Sequence, residues 1–495
     1  MGDIDATAVV KRARDAFRAG KTKSIESRRK LLHDMLRMVT EKEQDFVDAM
    51  HRDLKKPRFE SVSYEIDYSK NEIINTLNNL DDWTKSQKVE KPFYMIGVPT
   101  YVQPQPYGVV LIIGAWNYPH QLTIQPLIGA IAAGNTVIIK PSEIAHEYAT
   151  LLAKIIPQYF DNDCVQVVTG GVSLTTNLLK EKFDHILYTG SSGVGKIVMR
   201  AAADHLTPVT LELGGKSPCF IDDNVDVNVV AHRLIWAKMM NAGQTCIAPD
   251  YVLCHQSMNE KLLSAIAQTI KDFYGEDPKT SPDLGRIIND RHFQRVLGLT
   301  KCGRIAVGGD SDASQRYIAP TVLVDVEETD SVMQDEIFGP VLPIFNIDDV
   351  DKAIEVINSK AKPLALYVFS RSKDVIRRFT EETTSGGLVT NDCLLQASIE
   401  TLPFGGVGGS GMGAYHGRFS FDTFSHKRSC VNGNPGLEKL FSMRYPPFSE
   451  RKMNFMQWLL NKKLKNRFLS FTFKLALLAA LAGVLFMILG NVNER

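Results

Sequence analysis

Hydrophobic and polar positions change their period twice along the chain. Over the first hundred residues, apolar side chains recur at three- and four-residue intervals in AVVKRARDAF (8–17), IESRRKLLHDMLRMVTEKEQDFVDAM (25–50) and SYEIDYSKNEIINTLNNLDDWTKS (63–86). That spacing puts them on one face of a helix, and the Glu, Asp, Lys and Arg between them read as a solvated face. From Tyr107 the texture shifts to short apolar runs, GVVLIIG, NTVIIKP, VQVVTG, HILYTG and VTLELGG, each bounded by Gly, Pro or Asn. Helix-compatible segments separate them. Strands alternating with helices predict βαβ units and a parallel sheet buried on both faces. A second α/β block follows from Gly214 to Cys393, with SPCFID, the helix VVAHRLIWAKMMNAG, YVLCH, APTVLVDV, PLALYVFS and GLVTND. The Gly-rich PFGGVGGSGMGAYHG (403–417) then breaks the pattern. The first block is a doubly wound nucleotide-binding candidate, whose ligand belongs beyond the carboxyl ends of the strands.

The end of the chain differs again. NKKLKNR precedes an apolar stretch of 23 residues, 468–490, with Lys474 near its start. At a rise of ~1.5 Å per residue it reaches roughly 34 Å, enough for a bilayer core of ~30 Å, and Lys474 can snorkel. A buried core helix, the alternative, would show a polar stripe, and none follows Lys474. The expectation is a tail anchor whose basic flank stays cytosolic, leaving the body of the chain in the cytosol. Just upstream, 446–467 carries Phe448, Phe455, Met456, Trp458, Leu459 and Leu460 among basic neighbours. It reads as an interfacial amphipathic helix or as a plain spacer.

Composition narrows the class. With 495 residues, 44% hydrophobic and 23% charged, the chain holds two or three domains and is not disordered. The net charge of +1 conceals +7 from Arg451 onward and −6 before it. A mildly acidic body with a basic tail is unlike a nucleic-acid binder. The seven cysteines, at 164, 219, 246, 254, 302, 393 and 430, are scattered and form no C-x-x-C pair. Neither a disulfide framework nor a zinc site is expected, and a reducing compartment fits. The N-terminus shows no signal peptide, and Ala6 departs from the myristoylation pattern.

Candidate chemistry lies at strand ends. YTGSSGVGK (188–196) follows a strand and opens a helix. Its Gly190, Ser191, Gly193 and Gly195 would let backbone approach a pyrophosphate at a helix N-terminus, although small residues at such turns are also common for backbone reasons. Lys140 and Glu143 of IIKPSE fall where dinucleotide ribose hydroxyls would lie; a carboxylate there repels a 2′-phosphate and favours NAD. A surface lysine beside a helix start is the plainer reading. Cys246 sits in NAGQTCIAPD, among small and polar residues unlike the setting of a packing cysteine. Glu212 ends the run VTLEL, where burying a carboxylate is expensive. Asn117 of GAWNYPH offers an amide donor. A thiol, a carboxylate and a donor beside a dinucleotide site suit addition to a carbonyl, hydride loss and thioester hydrolysis. From these residues alone, Cys246 as an inert thiol stays open.

The set GAWNYP, KPSE, YTGSSGVGK, LELGGKSP, GQTCIAPDY, EIFGPVLP and PFGGVGGSGMG resembles the aldehyde dehydrogenase superfamily, in the family's order across most of 10–430. WNYP, TCIAPDY and GMGAYHGRFSFDTFSHKR resemble its class 3 branch, and the C-terminal segment its membrane-anchored fatty aldehyde group. The resemblance implies an α/β fold of two doubly wound parallel-sheet domains, a bridging β-arm and a C-terminal transmembrane helix. It places an NAD-binding domain at 1–83 and 104–212 and a catalytic domain at 213–395. An oligomerisation arm at 84–103 and 396–435 would extend the partner's sheet in a homodimer, and 446–467 would gate substrate entry. It implies Cys246 as nucleophile, Glu212 as general base, and Asn117 with the Cys246 N–H as oxyanion hole. Glu336 and Phe338 of EIFGP would hold the nicotinamide ribose and ring. Lys140 and Glu143 would meet the adenosine ribose, and residues 190–195 the pyrophosphate. One departure is Gly193, where relatives often carry a slightly larger residue such as Ala. The implied activity is NAD-dependent oxidation of medium- and long-chain aldehydes to acids at the endoplasmic reticulum or peroxisomal membrane, with no metal. An acylating reaction using coenzyme A would not need Glu212, and a non-enzymatic relic would need none of the three groups.

Overall fold

The fold was analysed in a computed structural model that describes residues 5–95 and 97–462. The expected membrane segment at 468–490 lies outside the described residues. Among the described residues, no helix is long and apolar enough to cross a membrane.

The N-terminal periodicity forms helices Ala6–Arg18, Ile25–Glu41, Glu43–Leu54 and Asp67–Thr84. Two start where polar caps predict: Asp5 Oδ1 accepts the Thr7 and Ala8 N–H groups, and Ser24 Oγ accepts that of Ser27. The run expected over 25–50 is interrupted at Lys42, and Val62–Ile66 widens into a π turn. Such a turn shifts the side-chain register, and it does so here around Glu65. The reading of these charges as a wholly solvated face fails at Glu65 and Glu72, which are 0% and 1% exposed.

The strands are β1 (Gln87–Lys88), β2 (Thr100–Pro106), β3 (Val109–Ile113), β4 (Thr136–Lys140), β5 (Val165–Val167), β6 (His185–Gly190), β7 (Val209–Leu213), β8 (Pro218–Ile221) and β9 (Tyr251–Cys254). After them come β10 (Arg304–Val307), β11 (Ser311–Asp312), β12 (Tyr317–Ile318), β13 (Thr321–Val324), β14 (Val341–Asn346), β15 (Ala365–Phe369), β16 (Gly387–Thr390), β17 (Gly411–Met412) and β18 (Ser425–Val431). A six-stranded sheet has the order β17-β7-β6-β3-β4-β5, and a seven-stranded sheet the order β10-β13-β14-β9-β8-β15-β16. Pairs from β5 through β7 run parallel, and β3 and β4 are buried along their whole length. That burial explains their unbroken apolar runs. The chain proceeds from β3 to β4 and β5, then returns to β6 on the other side of β3. This reversal opens a crevice at the carboxyl ends of β3 and β6, where an open α/β sheet receives its ligand.

Two strands escape the apolar pattern for physical reasons. β14 contains Pro343 yet lies between β13 and β9, with Pro343 opposite Leu323. Proline lacks the N–H a central strand uses, so sequence rules place it at edges. β17 arises from the Gly-rich stretch that seemed only to break the pattern. It runs antiparallel to β7, with Gly411 opposite Glu212. A β-carbon on Gly411 would stand 2.2 Å from the Leu211 carbonyl, so glycine permits the approach.

Met1–Ser86 with Gln103–Arg428 form one compact unit that holds both parallel sheets. Gln87–Val102 with the described residues from Ser429 onward form a second, organised on the sheet β1-β2-β18. In this second unit, helix Glu450–Leu460 lies within the expected amphipathic stretch and is capped by Ser449 Oγ, which accepts the Lys452 N–H at 3.3 Å. None of its residues is buried, and Trp458 is 68% exposed.

Candidate active site

Cys246 is presented by a turn that its neighbours hold rigid. Helix Val227–Met239 ends, and the chain passes through left-handed backbone at Asn241 (φ 52°), Ala242 (φ 53°) and Gly243 (φ 75°). Two consecutive non-glycine residues there cost of order 1–3 kcal/mol each unless their surroundings fix them. The surroundings do. Asn241 N–H donates to Glu60 Oε2 at 3.0 Å, and its Nδ2 donates to the Asn117 carbonyl at 2.8 Å and the Gln244 carbonyl at 3.1 Å. Gln244 Nε2 donates to the Asn241 and Arg286 carbonyls at 2.9 and 3.0 Å, while its Oε1 accepts the Ile288 N–H at 3.0 Å. Tyr367 OH donates to the Ile247 carbonyl at 2.5 Å. The result is a half-buried Cys246 on a loop that does not depend on its own side chain.

Asn117 belongs to the same construction. It lies four residues past β3, is buried, and donates one Nδ2 hydrogen to the Gln244 carbonyl at 3.0 Å. Its backbone is fixed by a pair the sequence reading passed over. Lys56 and Glu65 form an ion pair in which both side chains are 0% exposed. Lys56 Nζ also donates to the Asn117 carbonyl at 2.9 Å and lies 4.1 Å from the Tyr118 ring centroid. Glu65 Oε2 accepts the His120 and Gln121 N–H groups at 2.9 and 3.1 Å. The WNYPH turn is thus clamped by one cation and one anion. Breaking a buried pair strands its partner, so Lys56→Met should lower unfolding stability by about 3–5 kcal/mol. Urea titration checks this, and a change below ~1 kcal/mol would show that the clamp carries no strain-bearing load.

Two carboxyl groups act on the thiol, a buried Glu212 and a half-buried Glu336. Both oxygens of Glu212 lack a hydrogen-bond partner, and burial holds its pKa well above the usual carboxylate range. Glu336 accepts the Gly215 N–H, but its Oε1 is buried without a partner; burial, and then the charge of Asp250, raise it to about 8. A β-carbon on Gly214 would lie 2.0 Å from Glu336 Oε2, so Gly214 makes room for this side chain. Burial raises the Cys246 thiol, and the charges of Glu336 and Glu212 raise it further. The backbone N–H groups of Cys246 and Ile247 act in the opposite sense. A clasp joins the three motifs: Lys216 of LELGGK pairs with Asp250 of TCIAPD, and Asp250 Oδ1 accepts the Ile337 N–H of EIFGP at 3.0 Å.

The dinucleotide candidates separate into distinct roles. Ser191 caps the position before helix Ser192–Ala203 without a side-chain hydrogen bond, leaving the first N–H groups of that helix free of a cap. A β-carbon at Gly193 would meet nothing within 4 Å, which is the open approach a pyrophosphate needs. Gly190, at φ +156° on the end of β6, would collide with Tyr188 Oη at 2.3 Å. Gly195 differs: its β-carbon would strike Leu213 at 2.7 Å, so it serves helix-on-strand packing. Lys140 ends β4 and forms an ion pair with Glu143, whose side chain is 42% exposed. Phe338 has φ 49° and sets its ring edge-on to Trp116 at 5.2 Å. An uncapped helix start, an open glycine and the unbonded oxygen of Glu336 fit a dinucleotide at the β3/β6 crevice. Among the described residues, no group of three His, Cys, Asp or Glu is placed to hold a metal ion.

Residues 2–430 match the Aldehyde dehydrogenase family. The chain belongs to that family. It is 53% identical over 447 residues to human Aldehyde dehydrogenase family 3 member B1, covering 90% of this chain and 96% of that one. It is equally 53% identical over 454 residues to Aldehyde dehydrogenase family 3 member A2 of Pongo abelii, covering 92% and 94%. Identity therefore assigns the class 3 branch without separating these two members. Among solved structures, the substrate-bound state of Staphylococcus aureus AldH superposes with a TM-score of 0.90 at 40% identity, covering 93% of this chain and all of that one. The α/β fold with its parallel sheets is that of the family.

An aldehyde dehydrogenase must admit its aldehyde to the site, and Cys246 opens onto a cavity of about 90 Å³. Tyr64, Tyr68, Trp236, Leu395 and Phe404 are among its walls. The aromatic Tyr64 and Tyr68 come from the N-terminal helical region, which the sequence pattern marked only as solvated helix. Their period of four, on the face that also carries Glu65 and Glu72, was the available signal.

Proposed function

We propose that this protein oxidises medium- and long-chain aliphatic aldehydes to carboxylic acids with NAD. The observation that carries the reading is a half-buried Cys246 under the field of Glu212, a buried carboxyl group with no partner. Nothing in the fold uses that carboxylate, and retaining it unbonded is costly unless chemistry needs it. The Cys246 thiol gives its proton to solvent water as Sγ bonds to the carbonyl carbon, and the oxyanion receives the second Asn117 Nδ2 hydrogen and the Cys246 N–H. A nicotinamide ring held there would supply the hydride acceptor. Departure of that hydride from the carbon leaves a thioester on Cys246. Glu212 takes a proton from water, whose oxygen bonds to the acyl carbon; the C–S bond breaks, and sulfur regains a proton as the acid leaves. The raised proton affinity of Glu212 strengthens it as a base once ionised. In the cofactor crevice, Glu336 would hold the nicotinamide ribose and Phe338 the ring. Lys140 and Glu143 would hold the adenosine ribose, and Gly190, Ser191, Gly193 and Gly195 the turn beneath the pyrophosphate. A Glu143 carboxylate disfavours a 2′-phosphate, which supports NAD over NADP.

The chain-length reading draws support from the cavity's aromatic and aliphatic lining and from the apolar C-terminal segment of the sequence. A tail anchor at 468–490 would hold the enzyme on the endoplasmic reticulum or peroxisomal membrane with its body in the cytosol, where apolar aldehydes partition. The helix within 446–467 would lie at the interface and gate entry, and the β1-β2-β18 unit would join two chains into a homodimer. Each buried methylene contributes about 0.8 kcal/mol, so kcat/KM should rise roughly fourfold per added carbon until the cavity fills. Initial rates over a homologous series of saturated aldehydes check this, with free acid identified as product. A flat profile rejects the fatty substrate, and acyl-CoA as product rejects hydrolysis. Truncation after Pro446 should release the protein to the soluble fraction and reduce long-chain more than short-chain rates; equal loss would reject the gate.

A further inference from the structure

Glu72 is a buried carboxyl group that the proposed chemistry does not use. It lies on helix Asp67–Thr84, one turn after Tyr68, whose side chain lines the cavity at Cys246. Its hydrogen bonds all run to elements distant in sequence. Oε1 accepts the Gly417 N–H at 3.0 Å and the Ser420 hydroxyl at 3.3 Å, and Oε2 accepts from Gln125 Nε2 at 3.1 Å. Ser420 Oγ in turn accepts the His416 N–H at 2.8 Å. Glu72 therefore holds both peptide N–H groups that flank the His416 α-carbon, one directly and one through Ser420.

The backbone held there is unfavourable. His416 has φ 83° and ψ 135°, a positive-φ conformation that a residue with a β-carbon rarely adopts. Such backbone persists only where its surroundings over-determine it, and it gathers at sites where geometry matters. The turn delivers two rings to one place. Tyr415 N–H donates to the Phe404 carbonyl at 2.8 Å, and Phe404 N–H to the Tyr415 carbonyl at 3.0 Å. The His416 ring stacks on that of Phe404 with centroids 5.0 Å apart. Phe404, Tyr415 and His416 all line the cavity onto which Cys246 opens. Burial brings the imidazole down to about 3, so this part of the wall is uncharged at neutral pH.

We propose that Glu72 is a positioning residue for the aldehyde cavity: through Gly417 and Ser420 it fixes the Tyr415–His416 turn, and so sets how an aliphatic chain packs against the wall beside Cys246. This rests on the reading that the cavity receives the chain of a medium- or long-chain aldehyde. Burial raises Glu72 to about 8, opposed by the Gly417 N–H and aided by Glu400, so the group carries its proton at neutral pH. That proton faces the Gln125 amide, whose Oε1 is buried without a partner and accepts it when the amide turns over. A protonated carboxyl group and a carboxamide share one shape, with an acceptor oxygen and a donor. Glutamine should therefore replace Glu72, whereas methionine fills the space without an acceptor.

Initial rates with propanal and octanal at saturating NAD test this on the full-length protein, with NAD affinity read by calorimetry. Glu72→Met should raise KM for octanal about tenfold, and change KM for propanal and kcat for either aldehyde by less than about twofold. NAD affinity should stay unchanged. Glu72→Gln should match wild type, and Ser420→Ala, which breaks the same support at its middle link, should resemble Glu72→Met. His416→Gly removes the ring and should show the octanal defect, and adding Glu72→Met to it should bring no further rise in KM. Wild-type kinetics in Glu72→Met beside an impaired His416→Gly would overturn the role of Glu72 and leave the cavity reading standing. An equal fall in kcat for both aldehydes, unrescued by glutamine, would mark a purely structural carboxyl group and overturn it too. A wild-type enzyme with equal KM for the two aldehydes would reject the long-chain reading and this proposal with it. Should Glu72→Met be insoluble, Ser420→Ala is judged against the same outcomes.

Discussion

Replacing Cys246 with alanine is expected to lower aldehyde oxidation by at least about 10⁴-fold, or roughly 5.5 kcal/mol of barrier, with NAD binding unchanged. No other thiol among the described residues is placed to substitute. Cys164, Cys219, Cys254 and Cys393 are buried, Cys302 lies 3.2 Å from Ser331 Oγ beside β10, Cys430 belongs to β18, and none of the six lines the cavity at Cys246. The loop that carries Cys246 is held by Asn241, Gln244 and Tyr367, none of which bonds to its sulfur. Loss of activity should therefore come without loss of structure, with a melting temperature within about 2 °C of wild type. Cys246→Ser separates chemistry from shape, because the hydroxyl fits but is a far poorer nucleophile at neutral pH. It should retain less than roughly 1% of the rate. NADH formation by absorbance reads both, and Cys302→Ser serves as a control that keeps full activity. A Cys246→Ala protein that retained a tenth of wild-type turnover would place the nucleophile elsewhere.

Glu212→Gln carries the second large effect, and it has two signs. Removing the general base should lower kcat by about 10²–10⁴-fold, because an amide takes no proton from water. Stability should move the other way. The folded pKa of Glu212 is raised by burial above that of the unfolded chain. Below the ordinary carboxylate range both states carry the proton and no penalty exists. As pH rises past ~4.5 the unfolded chain releases its proton while the folded one retains it, so wild type loses stability until the folded group also ionises. Glu212→Gln has no such term. Its stability advantage should grow with pH by at most about 1.4 kcal/mol per unit across that window. Chemical unfolding at pH 5 and pH 7.5 reads the difference, and a constant gap between the two variants would mean that Glu212 is solvated.

Much of this site was legible in the sequence because its chemistry sits at strand ends, and buried parallel strands announce themselves. β3 is an unbroken apolar run and β4, β6 and β7 are short, mostly apolar stretches, so Lys140, Gly190 and Glu212 could be placed by inspection. Glu212 stood out because a carboxylate ending such a run has to be explained. Two kinds of feature stayed hidden. Backbone exceptions defeat period rules, as with Pro343 inside a central strand and Gly411 forming β17 against Glu212. Long-range pairs defeat them too. Lys56 and Glu65 look like any surface charges on a helix, and only the π turn at Val62–Ile66 and the fold turn both inward beneath Asn117. Lys238 was hidden in the same way, as a cation beside Arg233 in helix Val227–Met239 that is nevertheless 0% exposed. Gly195 carries a second constraint that the glycine motif did not show: its missing side chain makes room for Leu213.

The measurement that bears most directly on the mechanism is a single turnover of Glu212→Gln with a saturated aldehyde and NAD, followed by intact mass and peptide mapping. Acylation should proceed and hydrolysis should stall. The expected result is one NADH released per chain in a burst, with an acyl group in thioester linkage on Cys246 and almost no free acid. Steady release of acid at the wild-type rate with Cys246 unmodified would contradict the division of labour between Cys246 and Glu212.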